Sequence, residues 1–284
     1  MKIELNKIPH ATCEWFEVFH TLECGQVFRF FKLEPDVYLC ISTDKWCVVE
    51  QKSDSVILRS QDLDYFRHYF DLDTDYNAIE QSLSRHEELA TPISYCRGLH
   101  ILRQDLLETI VSFMISANNN IGRIKNTLND MSKAYGEAVE IVGETWTHTL
   151  YTLPSIDTLC EIDLSDWIKF GAGYRAPYLV ETIRELKDTD VLERLRTLEY
   201  NEACETLKKL KGVGPKVADC VALFGLYHCD GFPVDTWIFK SLETPELNTK
   251  QKVYQHYTTR YGKYSGFAQQ YIFYYNRSIK DKVV

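Results

Sequence analysis

Long apolar runs are absent from this 284-residue sequence. A membrane-spanning helix needs about 20 consecutive apolar residues, so we expect a protein without a membrane span. Residues 1–19 combine Lys with Glu and contain no apolar stretch, which does not fit a signal peptide. Internal repeats and low-complexity linkers are also lacking, and the length fits one large domain or two closely packed ones.

Paired cysteines are lacking as well. The nine cysteines are an odd number, and no two of them have C-x-x-C spacing. This usage is typical of free thiols in a reducing compartment, so we expect an intracellular protein, in the cytoplasm or nucleoid of a bacterium or the nucleus of a eukaryote. Because no ligand residues are clustered, we expect no zinc or iron–sulfur site.

An excess of basic residues is the third missing feature, since the formal net charge is −9. On its own this charge disfavours a nucleic-acid-binding protein, whose contact surface is usually basic. Total charge is a weak criterion, however, because binding depends on the local field at one face. Nucleic-acid binding would require the basic residues to be concentrated on one face.

The first third of the chain contains short β-prone segments, at residues 37–42, 46–51 and 55–60. Polar connections between them fit hairpins, and strands without intervening helices predict an antiparallel sheet. From about Leu63 onward, apolar residues recur at helical spacing. We therefore predict an α+β protein in which a β-rich N-terminal domain, residues 1–90, packs on an α-helical body, residues 91–284.

Three helix starts can be predicted inside the helical body. Pro177 suits the first turn of a helix. Backbone N–H groups have no intrahelical partner there, so a proline, which has no N–H, costs no hydrogen bond. Asn248 fits the N-cap of a helix that runs towards Arg260. Ser265 fits the start of the last helix, which we expect to continue through Arg277.

Residues 203–226 have the pattern of a helix-hairpin-helix. We expect the first helix to end near Leu210 and Pro215 to begin the second. Gly212 and Gly214 flank Val213. They could form a tight turn, because glycine adopts a positive φ without steric cost. Such a turn presents backbone N–H groups to a DNA phosphate. For the G-V-G pattern alone, a plain pair of helices joined by a flexible turn explains the glycines equally well.

Lys216 lies in the first turn of the second helix, where the positive end of the macrodipole disfavours a charged ammonium. A neutral lysine amine is a nucleophile that can form a Schiff base. The alternative is an ordinary surface lysine. Because a lysine at a helix N-terminus is mildly unfavourable, a functional role accounts better for its position.

Asp235 belongs to the loop of residues 231–237 and precedes an apolar helical segment. It could therefore be a simple N-cap. A capping carboxylate is also held in a fixed direction, and it could stabilise positive charge that develops on a sugar as its base departs. The two roles are compatible.

Together these residues resemble the helix-hairpin-helix–Gly/Pro–Asp DNA glycosylases, and among them the 8-oxoguanine DNA glycosylases. The resemblance rests on the hairpin with Lys216 and Asp235, and on five further blocks in the order of the family. Those blocks are G-Q-V-F-R at 25–29, R-Q-D at 103–105, N-N-N-I-G-R at 118–123, G-Y-R-A at 173–176, and G-F-A-Q at 266–269 with Phe273.

The resemblance implies a role for each matched residue. Lys216 would attack the sugar C1′, and Asp235 would stabilise charge and assist proton transfer. The base pocket would comprise Gly25, Cys220, Phe224, Gln269 and Phe273. The Gly25 carbonyl would accept the N7–H of 8-oxoguanine, Cys220 and Phe273 would sandwich the base, and Gln269 would read its Watson–Crick edge.

Further roles follow for the opposite strand and the DNA backbone. Asn118, Arg123 and Arg175 would hold the orphaned cytosine, and Tyr174 would wedge into the stack. The hairpin residues that would bind phosphate are Gly212, Val213, Gly214 and Val217. Singly, these residues have ordinary explanations: Phe273 and Cys220 as core, Asn118 to Asn120 as a cap and turn, and both arginines as solvated surface charges.

Three departures from the family pattern stand out. Trp237 occupies a position where eukaryotic members often have histidine, which puts a phosphate contact there in doubt. Phe224 stands where methionine is common, and Pro215 replaces a threonine. No cysteine follows Asp235, which excludes the C-terminal iron–sulfur cluster of endonuclease III-like relatives.

The resemblance therefore implies excision of 8-oxoguanine opposite cytosine through a Schiff base, followed by β-elimination. The expected partner is damaged double-stranded DNA, bound by a monomer, with no membrane, no metal and no organic cofactor. Two alternatives stay open. A monofunctional alkylpurine glycosylase of the same fold would share the Asp but not the Lys, and a non-catalytic helix-hairpin-helix module would need neither.

Overall fold

The structure is a computed structural model that describes residues 1–242 and 244–281. The strands are β1 (Lys2–Glu4), β2 (His10–Glu14), β3 (Phe30–Glu34), β4 (Val37–Ser42), β5 (Lys45–Gln51), β6 (Ser55–Arg59), β7 (Ala138–Val142) and β8 (Thr147–Tyr151). The helices in the first half of the chain are α1 (Val18–Glu23), α2 (Leu63–Tyr69), α3 (Tyr76–Leu83), α4 (Ala90–Tyr95), α5 (Leu106–Ser116) and α6 (Ile121–Tyr135).

The second half of the described chain is helical apart from β7 and β8. Its helices are α7 (Ile156–Glu161), α8 (Leu164–Lys169), α9 (Ala176–Asp188), α10 (Val191–Leu195), α11 (Tyr200–Leu207), α12 (Pro215–Gly225), α13 (Thr236–Leu242), α14 (Lys250–Tyr261) and α15 (Ser265–Asp281).

The predicted antiparallel N-terminal sheet is confirmed. It has five strands in the order β2-β6-β5-β4-β3, all antiparallel. A second sheet of three strands, β1-β7-β8, was not predicted, and in it β1 pairs parallel with β7. Two of its strands lie within the expected helical body, because a pairing across more than 130 residues leaves no local pattern in the sequence.

The five-stranded sheet is buried on both faces, which explains why residues 37–41 of β4 are apolar without interruption. Tyr38 and Cys40 belong to an apolar cluster that includes Phe66 of α2. Leu39 and Ile41 point to the other face, into a cluster shared with the three-stranded sheet. The second sheet therefore forms a layer that covers the face away from α2.

The helical body has its own core, centred on α5 and α12. Tyr76 and Leu83 also belong to this core, although they precede the proposed boundary at residue 90. The division into residues 1–90 and 91–284 stays a prediction. No helix among the described residues has the length and apolar character needed to cross a membrane.

The predicted helix starts hold with one correction. Pro177 lies in the first turn of α9, and Ser265 opens α15, which extends beyond Arg277 to Asp281. The expected N-cap Asn248 was wrong by one residue. Thr249 directly precedes α14 and its hydroxyl accepts the Lys252 amide N–H at 3.2 Å.

A buried ion pair joins the N-terminal sheet to the helical body. Arg29, which is 1% exposed, donates to Glu108 Oε1 of α5 at 3.2 Å and to the Tyr151 carbonyl at 2.5 Å. The other oxygen of Glu108 accepts the Thr43 amide at 2.7 Å. Burial raises the pKa of Glu108, while the Arg29 cation opposes that shift. The pair thus connects both sheets to α5.

We expect Arg29→Met to lower the free energy of unfolding by about 3 kcal/mol, because it leaves a carboxylate buried without its cation. Removing both charges, in Arg29→Met with Glu108→Gln, should recover part of that loss. Urea unfolding of the single and double variants measures both effects. Equal losses in the single and double variants would contradict the proposed pairing.

A second buried polar contact joins the helices on either side of the hairpin. The Tyr200 hydroxyl of α11 donates to Asp219 Oδ1 of α12 at 2.9 Å, and Cys204 Sγ lies 3.7 Å from the same oxygen. Burial raises the pKa of Asp219 to about 6, although Tyr200, Cys204 and the charge of Lys208 oppose the shift. Compared with the unfolded chain, the folded state therefore favours the protonated form of this carboxyl.

We expect Asp219→Asn to stabilise the protein at pH 7 and to change its stability little at pH 4. An aspartate in an unfolded chain has a pKa of 3.8, whereas Asp219 titrates at about 6 in the folded chain, so wild-type stability falls as the pH rises through this window. Asparagine does not titrate and keeps an acceptor for Tyr200. Urea unfolding should show a gain of about 2 kcal/mol at pH 7. A gain that is equal at both pH values, or larger at pH 4, would rule out this explanation.

Candidate active site

One large cleft has a volume of about 1200 Å³. It lies where residues 23–26, called the Gly25 segment, meet the α5–α6 junction, the hairpin, α13 and α15. The predicted site residues that line it are Gly25, Asn118, Tyr174, Arg175, Gly212, Gly214, Lys216, Val217, Asp235 and Phe273. The cleft therefore brings together both predicted catalytic residues and members of each predicted binding group.

Lys216 is the second residue of α12, and its half-buried side chain points towards the end of α5. The Nζ atom donates to Ser116 Oγ at 3.1 Å and lies 5.0 Å from the centroid of the Phe113 ring. Phe113 in turn stacks on Phe224 with 5.5 Å between ring centroids. Two residues that were not predicted, Ser116 and Phe113, thus fix the position of the amine.

Asp235 directly precedes α13 and caps it, as one of its two predicted roles requires. Its Oδ1 atom accepts the Ile238 amide N–H at 2.7 Å. Asp235 and Lys216 both act on the thiol of Cys220. Burial raises the pKa of Cys220 to about 11, Lys216 lowers it, and Asp235 adds to the rise. The Cys220 thiol therefore lies within the electrostatic influence of both side chains.

Gly25 also lines the cleft, with a left-handed φ of 87°. A Cβ atom placed there would lie 3.0 Å from Arg277 Nη1 and 3.4 Å from Phe273 Cε1. The left-handed backbone conformation requires glycine at this position, whereas the Arg277 side chain could move away from an added Cβ. Arg277 also lines the cleft but was not predicted, since it lies outside the quoted family blocks.

The other predicted base-pocket residues lie behind the cleft surface. Cys220, Phe224 and Gln269 are each about 5% exposed or less and do not belong to its lining. Among the described residues, the buried Oε1 atom of Gln269 has no hydrogen-bond partner. A buried amide oxygen in that state is unusual in a folded protein.

The predicted orphan-base residues fall into two groups. Asn118, at a φ of 49°, donates from Nδ2 to the Tyr174 hydroxyl at 3.2 Å, and Tyr174 is 56% exposed. Arg123 is exposed on the first turn of α6 and does not line the cleft. The first turn of α6 is capped by the Asn120 side chain, as the alternative explanation of this segment proposed.

Arg175 is not a solvated surface charge, because it is only 7% exposed. Its guanidinium donates to the carbonyl of Ala117 from Nε at 2.6 Å and to the carbonyl of Asn118 at 2.9 Å. It also donates to the Ala172 carbonyl at 3.2 Å. In this structure Arg175 holds the loop that carries Asn118.

The hairpin has the predicted form with two corrections. The first helix ends at Leu207 rather than near Leu210, and only Gly212 has a positive φ, of 81°. Gly214 has a φ of −88° because it is the extended N-cap residue of α12. A Cβ at Gly212 would lie 2.6 Å from Tyr178 Cβ, so the turn packs directly on α9.

The first turn of α12 leaves amide groups without intrahelical partners, as every helix does. Val213 does not contribute such a group, because it is buried and its amide donates to the Leu210 carbonyl at 3.1 Å. Gly212, Gly214 and Val217 line the cleft. The structure thus separates Val213 from the other three predicted phosphate-binding residues.

The charge balance of the cleft differs from that of the whole chain. Its lining includes the cations Arg175, Lys208, Lys216, Lys250 and Arg277 and the carboxylates Glu23, Glu205, Asp219 and Asp235. The local charge is thus close to balanced, against −9 for the chain. Within the described part of the chain, no group of three or more His, Cys, Asp or Glu residues could hold a metal ion.

The N-terminal part of the chain, residues 8–110, matches the family model described as 8-oxoguanine DNA glycosylase, N-terminal domain. A protein of Arabidopsis thaliana named N-glycosylase/DNA lyase OGG1 is 32% identical over 244 residues. That match covers 80% of this chain and 63% of the Arabidopsis protein.

Solved structures are similar over nearly the whole chain. One is the Clostridium acetobutylicum 8-oxoguanine glycosylase/lyase in complex with double-stranded DNA containing cytosine opposite 8-oxoG, with a TM-score of 0.88 and 36% identity over 94% of this chain and 93% of that one. Another, MBOgg1 in complex with a low-affinity DNA ligand, has a TM-score of 0.88 and 32% identity over 95% and 96%. The chain therefore belongs to the 8-oxoguanine DNA glycosylase family of the helix-hairpin-helix–Gly/Pro–Asp superfamily.

Proposed function

We propose that this protein, acting as a monomer, flips 8-oxoguanine out of duplex DNA, excises it through a Schiff base on Lys216 and then cleaves the strand. The observation that carries the proposal is that Lys216 and Asp235 line one cleft together with Gly25 and Phe273. The names of the similar proteins support the same activity. The reaction needs no metal and no organic cofactor.

Lys216 supplies the nucleophile. Its neutral amine attacks the sugar C1′ as the N-glycosidic bond breaks, and the base leaves with a proton. Opening of the sugar ring then gives an imine between Nζ and C1′. The imine acidifies the C2′ protons, and loss of one of them expels the 3′ phosphate by β-elimination. The hydrogen bond to Ser116 keeps the amine in place for these steps.

Asp235 stabilises the positive charge that develops on the deoxyribose as the base departs. Its cap on α13 fixes the carboxylate before substrate binds, so no reorganisation is needed at that moment. The same carboxylate can take up and return the protons that the imine chemistry releases.

The base is recognised by Gly25 and the other residues of the predicted base pocket. The Gly25 carbonyl accepts the N7–H of 8-oxoguanine, and normal guanine has no proton there. Phe273 and Cys220 enclose the base, with Phe224 behind Phe113 as the pocket floor. Gln269 reads the Watson–Crick edge, and its buried Oε1 atom gains from the base the hydrogen bond that it lacks among the described residues.

The opposite strand is held at the α5–α6 junction. Tyr174 is exposed enough to enter the base stack, and Asn118 lies in contact with it. Arg123 donates to the orphaned cytosine from its exposed position, while Arg175 shapes the loop and donates to the base at its edge. The amides around Gly212, Gly214 and Val217 bind a backbone phosphate.

We expect Lys216→Gln to lower single-turnover excision of 8-oxoguanine opposite cytosine by at least about a thousandfold, because the covalent route is lost. Borohydride should trap wild-type protein on this DNA as a covalent adduct, and it should trap none of the variant. Lys187→Gln is the matched control, since Lys187 pairs with Asp157 on the surface and lies outside the cleft lining.

Excision without a trapped adduct in wild-type protein would point to a monofunctional glycosylase. Binding without excision would leave only a DNA-binding module. Full excision by Lys216→Gln would overturn the assignment of the nucleophile.

We expect Arg123→Ala to reduce the preference for cytosine opposite the lesion by about tenfold, since a charged hydrogen-bond donor to that base is lost. The measurement is single-turnover excision of 8-oxoguanine opposite each of the four bases. Arg194→Ala, on the exposed side of α10, serves as the control. An unchanged ratio of rates opposite cytosine and adenine would assign the orphan base to other residues.

A further inference from the structure

The Gly25 segment is held from its N-terminal side by two side chains of α15. Arg277 Nη2 donates to the Glu23 carbonyl at 2.5 Å, and Gln270 Nε2 donates to the Cys24 carbonyl at 3.0 Å. These contacts join residues separated by about 250 positions in the sequence. Gln270 is 2% exposed, so its hydrogen bond is shielded from water.

The C-terminal side of Gly25 is held through Gln26, which is fully buried. The Gln26 amide donates to the Thr21 and His100 carbonyls at 2.9 and 2.8 Å, and its oxygen accepts the Leu102 N–H at 2.9 Å. The Gln26 backbone carbonyl accepts from Gln104 Nε2 at 2.8 Å. The chain is therefore fixed immediately before and after Gly25.

Glycine has more conformational freedom to lose than any other residue type. Without the contacts on both sides, the peptide of Gly25, which has a left-handed φ, would be free to rotate. A hydrogen bond to a carbonyl weakens steeply when the acceptor turns away from the donor. Holding the residues on both sides fixes the direction of the Gly25 carbonyl before a base arrives. Arg277 also packs against Gly25 itself and lies 6.0 Å from the Phe273 ring centroid.

We propose that Arg277 and Gln270 are positioning residues for lesion discrimination: by holding the Glu23 and Cys24 carbonyls, they set the direction of the Gly25 carbonyl that distinguishes 8-oxoguanine from guanine. This inference rests on the proposed function. It assigns to α15 a second task besides the base contacts of Gln269 and Phe273. The two residues act through Gly25 and not on the reacting atoms.

The test uses full-length protein in a Lys216→Gln background, which allows binding without turnover. The measurement is the dissociation constant for three duplexes with cytosine opposite 8-oxoguanine, guanine or a tetrahydrofuran abasic analogue. Adding Arg277→Met should lower the preference for 8-oxoguanine over guanine by about tenfold, because the carbonyl loses its fixed direction. Affinity for the tetrahydrofuran duplex, which has no base to recognise, should stay within about twofold.

Lys125→Met is the matched control. Lys125 Nζ lies 3.7 Å from the Glu23 carboxylate, so the variant removes a contact to the same residue without touching its carbonyl. We expect it to keep the preference for 8-oxoguanine. Arg277→Lys retains a donor and should restore part of the preference that Arg277→Met loses.

An Arg277→Met variant with the parental preference for 8-oxoguanine would overturn the proposal. If Arg277→Met also lowers the affinity for the tetrahydrofuran duplex, the preference for 8-oxoguanine over guanine is measured for Gln270→Met instead. An unchanged preference in Gln270→Met then overturns the proposal equally. Failure of the proposed function looks different: the Lys216→Gln parent would then show no preference for 8-oxoguanine, and wild-type protein would not excise it.

Discussion

The antiparallel packing of α5 against α12 is the constraint on which the site depends. At one end, a Cβ atom at Gly225 would lie 3.1 Å from Thr109 Cβ, so the helices touch backbone to side chain there. Beside it, Phe224 stacks on Phe113. At the other end, Lys216 donates to Ser116. A core contact, an aromatic contact and the amine of the proposed nucleophile therefore lie along one seam, and a shift of either helix would move the amine.

This seam explains why the sequence indicated the proposed catalytic residues but not their surroundings. The hairpin is a local pattern, so Gly212, Pro215 and Lys216 could be recognised from neighbouring residues. Ser116 is 100 residues away from Lys216, and a serine at the end of an apolar helix has no distinctive signal. The same limit applies to Arg277 and to the pairing of β1 with β7, since each depends on contacts between distant parts of the chain.

Local sequence patterns also do not choose between two neighbouring residues that are both suited to one role. Asn248 and Thr249 are both good N-cap residues, and the choice between them follows from where α14 begins. Gly214 could have adopted a positive φ, but the N-cap position of α12 demands an extended backbone. The α+β class and the antiparallel sheet could be predicted, because period-two and helical patterns extend over many residues.

The proposed function makes different physical demands on the two groups of cleft residues, Lys216 with Asp235 and the residues around Gly25. The proposed nucleophile Lys216 and carboxylate Asp235 must each be held in a fixed direction, and a hydroxyl contact to Ser116 and the N-cap of α13 do this. In the proposed function, Gly25 must distinguish bases that differ at N7 by a single proton, which requires a carbonyl of fixed direction on a residue that is intrinsically mobile. Buried hydrogen bonds around Gly25 meet that demand, because their donors are far from water and cannot exchange partners readily. Helix α15 is the element that holds the residues before Gly25, so under the proposed function substitutions on its inner face should change which base is accepted before they change the chemistry proposed for Lys216.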